Sequence, residues 1–133
     1  MAEVTNIRHG QNYAVGEAGP LDQLDAKLFL GKALGFTGME VSLNRFRPGD
    51  EVPFVHQHRE HEEMYLFVKG HGQFQVDGEV FDVKPGTIVR VLPEGKRAWR
   101  NNSTEDLYCV VIQANVGSLT DKDGIINDDP LIW

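Results

Sequence analysis

Three histidines and three glutamates crowd one short stretch of this chain: His56, His58 and His61 with Glu60, Glu62 and Glu63. Neutral imidazole nitrogens and carboxylate oxygens are ligands that zinc, iron, manganese and nickel accept. His56 and His58 are spaced i, i+2, so in an extended segment both rings leave the same face. Glu63 opens the apolar run Met64-Tyr65-Leu66-Phe67-Val68. A carboxylate there either points to water or is held inside by a cation. Two histidines and one carboxylate, with positions left open, form a set that suits a divalent transition metal. The same residues also fit a solvated loop of mixed charge. The order His58-Arg59-Glu60-His61-Glu62-Glu63 matches neither HExxH nor HxxEH, which excludes the helices of the zinc proteases.

The elements that must position these residues read as short strands. From Leu24 onward, turn residues interrupt β-prone runs every 8–12 positions, the rhythm of a sandwich or barrel. Met39-Val41-Leu43 alternates with Glu40-Ser42-Asn44, and Arg47-Pro48-Gly49-Asp50 ends that strand with turn chemistry. Asp77-Gly78 lies between Phe74-Gln75-Val76 and Glu79-Val80-Phe81, which predicts a two-residue type I′ hairpin. That register sets Phe74 opposite Phe81 and Val76 opposite Glu79. Further strands are expected over 88–92, 98–101 and 107–113. Residues 1–23 read as a polar arm over the barrel. Residues 114–133 read as a polar tail ending in Leu131-Ile132-Trp133, expected to dock on the barrel or on a partner subunit. No long amphipathic helix is convincing; Leu21 to Leu34 has some apolar spacing, but Gly31 and Gly35 interrupt it.

Length and composition bound the rest. The chain has 133 residues, 41% hydrophobic and 25% charged, with a net charge of −7. This is the size and make-up of one folded domain over 1–133. The acidic balance speaks against a nucleic-acid or anionic-membrane surface, which needs a basic stripe. No apolar run reaches the ~20 residues needed to span a bilayer, and the N-terminal residues lack the layout of a signal peptide. A cytoplasmic protein is expected. Cys109 is the single cysteine and lies in an apolar run, which reads as a small buried hydrophobe.

The stretch from Gly49 through His56, His58 and Glu63 to Gly70 resembles the first motif of the cupin superfamily: glycine, a short gap, HxH, a glutamate, then glycine. Glu63 stands five residues after His58 and seven before Gly70, so it and not Glu62 takes the ligand position. The gap from Gly49 to His56 is one residue longer than usual. Gly78 to Asn102 resembles the second motif, with turns at Pro85-Gly86 and Pro93-Glu94-Gly95 and Asn102 as the closing asparagine. Where the family has its fourth ligand, a histidine three residues after a glycine, this chain has Ala98. The resemblance covers about residues 39–113. It implies an all-β, double-stranded β-helix (jelly-roll) barrel, a metal held by His56, His58 and Glu63, and frequently a homodimer. Water, substrate or His61 would then stand in for the missing histidine.

Strand periodicity extends the candidate pocket. If Glu63 points inward, so do Tyr65 and Phe67. Counting from Ala98 makes Arg100 an inward candidate and Trp99 an outward one. Arg100 and Phe67 are expected to contact substrate, and His61 or Tyr65 to move a proton. A metal with open positions would polarise a carboxylate- or hydroxyl-bearing small molecule, as an isomerase, lyase or dioxygenase does. The alternative is a non-catalytic small-molecule sensor with weak or no metal.

Overall fold

The computed structural model describes residues 3–133. Met1 and Ala2, the start of the expected arm, lie outside the described residues. Thr5–His9 (β1) and Ala14–Glu17 (β2) form an antiparallel hairpin. A 3-10 turn at Leu21–Gln23, a strand at Lys27–Phe29 (β3) and a four-residue helix at Gly31–Leu34 (α1) follow. Gly35, in the left-handed region at φ 75°, caps that helix. The span read as weakly helical thus divides into a 3-10 turn, a strand and a short helix that begins at Gly31.

The remaining strands are Met39–Phe46 (β4), His61–Lys69 (β5), Gly72–Val76 (β6), Glu79–Val83 (β7), Ile88–Val91 (β8), Arg97–Arg100 (β9) and Leu107–Asn115 (β10). They make a five-stranded sheet in the order β3-β4-β10-β5-β8 and a three-stranded sheet in the order β7-β6-β9. The sheets face each other without closing into one hydrogen-bonded cylinder, which is the double-stranded β-helix expected from the sequence. Their shared core holds Tyr65, Phe67, Phe74, Val83, Val91, Trp99, Leu107, Cys109 and Val111. Cys109 is indeed a buried hydrophobe here, and burial raises its thiol pKa far above the ordinary value.

Two turns fix the register that aims the site. Asp77 and Gly78 take φ of 51° and 84°, and β6 pairs with β7 through Phe74–Phe81 and Val76–Glu79, as the Asp-Gly turn dictates. Gly70 ends β5 at φ 88°, where a Cβ would run into the carbonyl of Asp106. Only glycine lets β5 leave the sheet so close to the start of β10.

The arm and the tail both stand clear of the sheets. Every residue of β1 is exposed, so the hairpin stands beside α1 rather than covering the sheets. Residues 116–133 form no helix or strand, and Leu131, Ile132 and Trp133 are exposed, Trp133 by 99%. The tail does not dock on its own barrel. Acidic residues at 121, 123, 128 and 129 keep the segment before it in water. Among the described residues, no helix is long and apolar enough to cross a membrane.

Candidate metal centre

The site is assembled from β5 and from the loop before it. Backbone hydrogen bonds between His56 and Arg97 run both ways at 3.0 Å, and the N–H of His58 donates to Pro93 O at 3.1 Å. These pairings hang the histidine segment on the three-stranded sheet in an extended form. The i, i+2 spacing then turns both imidazoles the same way. Glu63, the third residue of β5, meets them from the opposite sheet and is 4% exposed. His58 Nε2 lies 3.3 Å and His56 Nε2 3.7 Å from Glu63 Oε1. One donor atom from each residue falls within 4.8 Å of the other two.

This donor set fits a divalent transition metal: two imidazole nitrogens and a carboxylate oxygen converge, and the carboxylate is too buried to be solvated alone. Burial also lowers the pKa of His56, against the opposing pull of Glu63, which favours the neutral imidazole that a metal requires.

The carboxylate is held by two further groups. The Tyr65 hydroxyl donates to Glu63 Oε1 at 2.7 Å, and Arg97 Nε lies 3.3 Å from the same oxygen. Burial, and then the Glu63 charge, push the Tyr65 phenol far above its ordinary pKa of 10.0. Arg97 is 0% exposed, and its Nη1 donates to Gly95 O at 2.7 Å.

Arg97 corrects the strand phase expected from Ala98. In β9 it is Arg97 and Trp99 that face inward, while Ala98 and Arg100 border the outer surface of the three-stranded sheet. Arg100 donates to Gln73 Oε1 at 2.6 and 3.0 Å, away from the histidines. The inward position beside the ligand set therefore holds a guanidinium, one residue earlier than the motif count places it. The closing asparagine shifts with it: Asn101 is buried and donates to Phe46 O and Glu105 O. The turn at Pro93-Glu94-Gly95 is one residue tighter than the count allows.

Two other expected residues lie off the cavity. Phe67 is 0% exposed in the core, packed edge-on against Phe74 and Trp99, too deep along β5 to meet a ligand. His61, at the start of β5, places Nδ1 2.8 Å from Gln113 Oε1, with its ring centre 5.9 Å from that of His58. It borders an adjoining hollow rather than the cavity with His56, His58 and Glu63.

That cavity is about 300 Å³ in volume. Its walls include Phe29, Phe46, Phe54 and Trp99, with Phe46 and Trp99 stacked at 3.8 Å between ring centres. Lys27, Ser42 and Asn44 also line it. None of those three was singled out from the sequence as a pocket residue. The usable signal was the polar half of the β4 alternation, which faces inward here.

A family model for the cupin domain matches residues 42–113. This chain belongs to the cupin domain family. A cupin protein from Bacteroides fragilis, known from its crystal structure, is similar at 35% identity and a TM-score of 0.80, covering 89% of this chain and 99% of that one. A 5-nitrosalicylic acid 1,2-dioxygenase from Bradyrhizobium is 33% identical over 82 residues, covering 61% of this chain. This chain spans 39% of the length of that relative. A sugar phosphate isomerase of the superfamily from Silicibacter pomeroyi shares the fold at 22% identity and a TM-score of 0.61, covering 68% of this chain and 59% of that one.

Proposed function

We propose that this chain is a metal-dependent cupin in which His56, His58 and Glu63 hold one divalent transition ion (zinc, iron, manganese or nickel) and the adjoining cavity takes a small carboxylate- or hydroxyl-bearing molecule. The observation that carries this reading is the convergence of the three donors within 4.8 Å at the wall of an aromatic cavity. When bound, the ion acts as a Lewis acid or redox centre toward an oxygen-bearing ligand. The residues around it hold the site. Tyr65 stays protonated and keeps Glu63 oriented as a hydrogen-bond donor, so it positions a ligand rather than taking up a proton. His61 borders the adjoining hollow beside Gln113, so a role in moving protons would need a path from that hollow to the cavity. The similarity to a 5-nitrosalicylic acid 1,2-dioxygenase and the aromatic walls together favour oxygenase chemistry on a flat acid over isomerisation or elimination.

A second reading, a non-catalytic sensor with weak metal affinity, draws on Arg97. A fixed guanidinium 3.3 Å from Glu63 opposes a cation at the same carboxylate. We also propose that the chain acts as a soluble cytoplasmic homodimer, with small molecules rather than nucleic acid or membrane as partners.

Metal content of protein purified without added metal tests the first reading, with His58→Ala as the control. The expected result is one ion per chain in the wild type and at least a 100-fold loss of affinity in the variant, as follows when one of three protein ligands is removed. Metal-free protein that still binds small acids would select the sensor. Unchanged occupancy in His58→Ala would remove His58 from the ligand set.

A further inference from the structure

The cavity contains one buried acceptor that the protein does not use. Asn44 is 0% exposed, and its Nδ2 faces Ser42 Oγ at 3.0 Å, Ser42 O at 3.3 Å and Cys109 O at 3.4 Å. Two of these partners are carbonyl oxygens, which can only accept. They fix the orientation of the amide: with the side chain flipped, its oxygen would sit against both carbonyls. Asn44 Oδ1 is therefore turned away from them, buried and without a partner, in a residue that lines the cavity. A buried acceptor left unmet is costly, and native structures seldom leave one without a purpose.

The surroundings define what would meet it. Lys27 is the residue of β3 paired with Asn44 on β4, so both leave the same face of the sheet. The Lys27 ammonium lies 5.1 Å from the ring centre of Phe29, and it contributes a positive potential at His56. Glu40, the remaining carboxylate on this wall, accepts from the backbone N–H groups of Gly31 and Val41 at 2.8 and 3.0 Å, both through Oε1. The Phe46–Trp99 stack supplies a flat apolar wall. A cation, a buried acceptor without a partner and a flat wall in 300 Å³ call for three features in one small molecule.

We infer that Lys27 and Asn44 form a specificity subsite for an aromatic acid that carries a hydroxyl group, the carboxylate facing Lys27 and the hydroxyl donating to Asn44 Oδ1. This inference rests on the reading of the cavity as a ligand site and adds the substrate class. Asn44 reads the hydroxyl because an amide oxygen attracts a donor and repels a second acceptor. An acid without a donor leaves Oδ1 as unmet as it is now, and loses the corresponding binding.

The test is calorimetric titration of the full chain, with zinc added, by benzoate and by its 2-, 3- and 4-hydroxy derivatives. At least one hydroxy isomer is expected to bind about 10-fold more tightly than benzoate, the worth of one neutral hydrogen bond to a buried partner. In Asn44→Leu, which keeps the volume and removes the acceptor, that ratio falls to about 1 while zinc stoichiometry is unchanged. Lys27→Met weakens all four acids together. Because each protein is judged by a ratio, partial loss of folded material does not imitate the result, and Asn44→Ala gives an independent second reading. Wild type binding all four acids equally, or Asn44→Leu keeping the preference, overturns the Asn44 assignment while leaving the cavity a ligand site. Wild type binding none of them overturns this inference, whereas the reading of the cavity as a site for small oxygen-bearing molecules is tested apart from it, by metal content and by binding of non-aromatic acids.

Discussion

Arg97 is the residue on which the chemistry of the pocket turns. It is wholly buried and stands opposite Glu63, so the apo site is already neutralised by the protein itself. Removing one member of a buried ion pair leaves the other charged and unsolvated. Arg97→Met should therefore destabilise the metal-free protein by roughly 3 kcal/mol, within the range for broken buried pairs. A divalent ion then replaces the lost charge, so zinc should restore much of that stability and bind more tightly than in wild type. Urea unfolding with and without zinc measures both effects, and equal losses in the two conditions would separate Arg97 from the metal site. Cys109 offers a simpler check of the core beside it. Burial holds the thiol protonated, so it should resist alkylation in the native protein and react at the rate of a free thiol once unfolded.

Among the elements, turns and strand phase decide what a sequence can reveal. Gly70 and Gly78 both sit at positive φ, but a Cβ at Gly78 meets nothing within 4 Å, whereas at Gly70 it meets the Asp106 backbone. Gly78→Ala should cost about 1–2 kcal/mol, the left-handed backbone penalty alone. Gly70→Ala adds overpacking and should cost on the order of 2–5 kcal/mol, visible as a much larger fall in Tm. The turn residues at 77–78 were legible because Asp-Gly admits few backbone solutions, and they carried the β6–β7 register with them. The common direction of His56 and His58 was legible because i, i+2 spacing survives any shift of the whole segment. Phase in β9 was not legible. A turn tightened by one residue inverts every later side chain, so Arg97 and Trp99 exchange faces with Ala98 and Arg100. The β4 face was misleading for a different reason. Its apolar set, Val41 and Leu43, points outward, and its polar set, Ser42 and Asn44, lines the cavity. The usual rule of apolar inside is reversed there because the inside is a cavity and not packed core. Lys27 lies outside both motifs, and only the pairing of β3 with β4 brings it to the pocket.

At the scale of the whole molecule, that reversed pattern leaves an apolar outer surface to be explained. Register places Leu43, Val110, Leu66 and Ile88 in one row across four strands of the larger sheet, with Val41, Ile112 and Met64 in the row beside it; Leu28 continues the first row on β3 but is already buried. Period two sets these residues on the side away from the cavity, and Ile88 is 63% exposed. Four strands at ~4.8 Å spacing make the open part of this row about 14 Å across, and adjoining aliphatic rows of this kind are uncommon on a free surface. A second copy of the same face is the self-complementary cover that two-fold symmetry provides. The exposed Leu131-Ile132-Trp133 segment, left without a seat on its own sheets, supplies further apolar area to such an interface. Sedimentation equilibrium should then give a mass of twice 14.9 kDa. Leu66→Asp, at the middle of the row, should shift the protein to monomer by burying an unpaired charge at any interface. Val80→Asp, on the exposed β7 edge of the smaller sheet, should leave the dimer intact. If Leu66→Asp stays dimeric while Val80→Asp dissociates, the copies meet through the smaller sheet instead, and the aliphatic rows need a different partner.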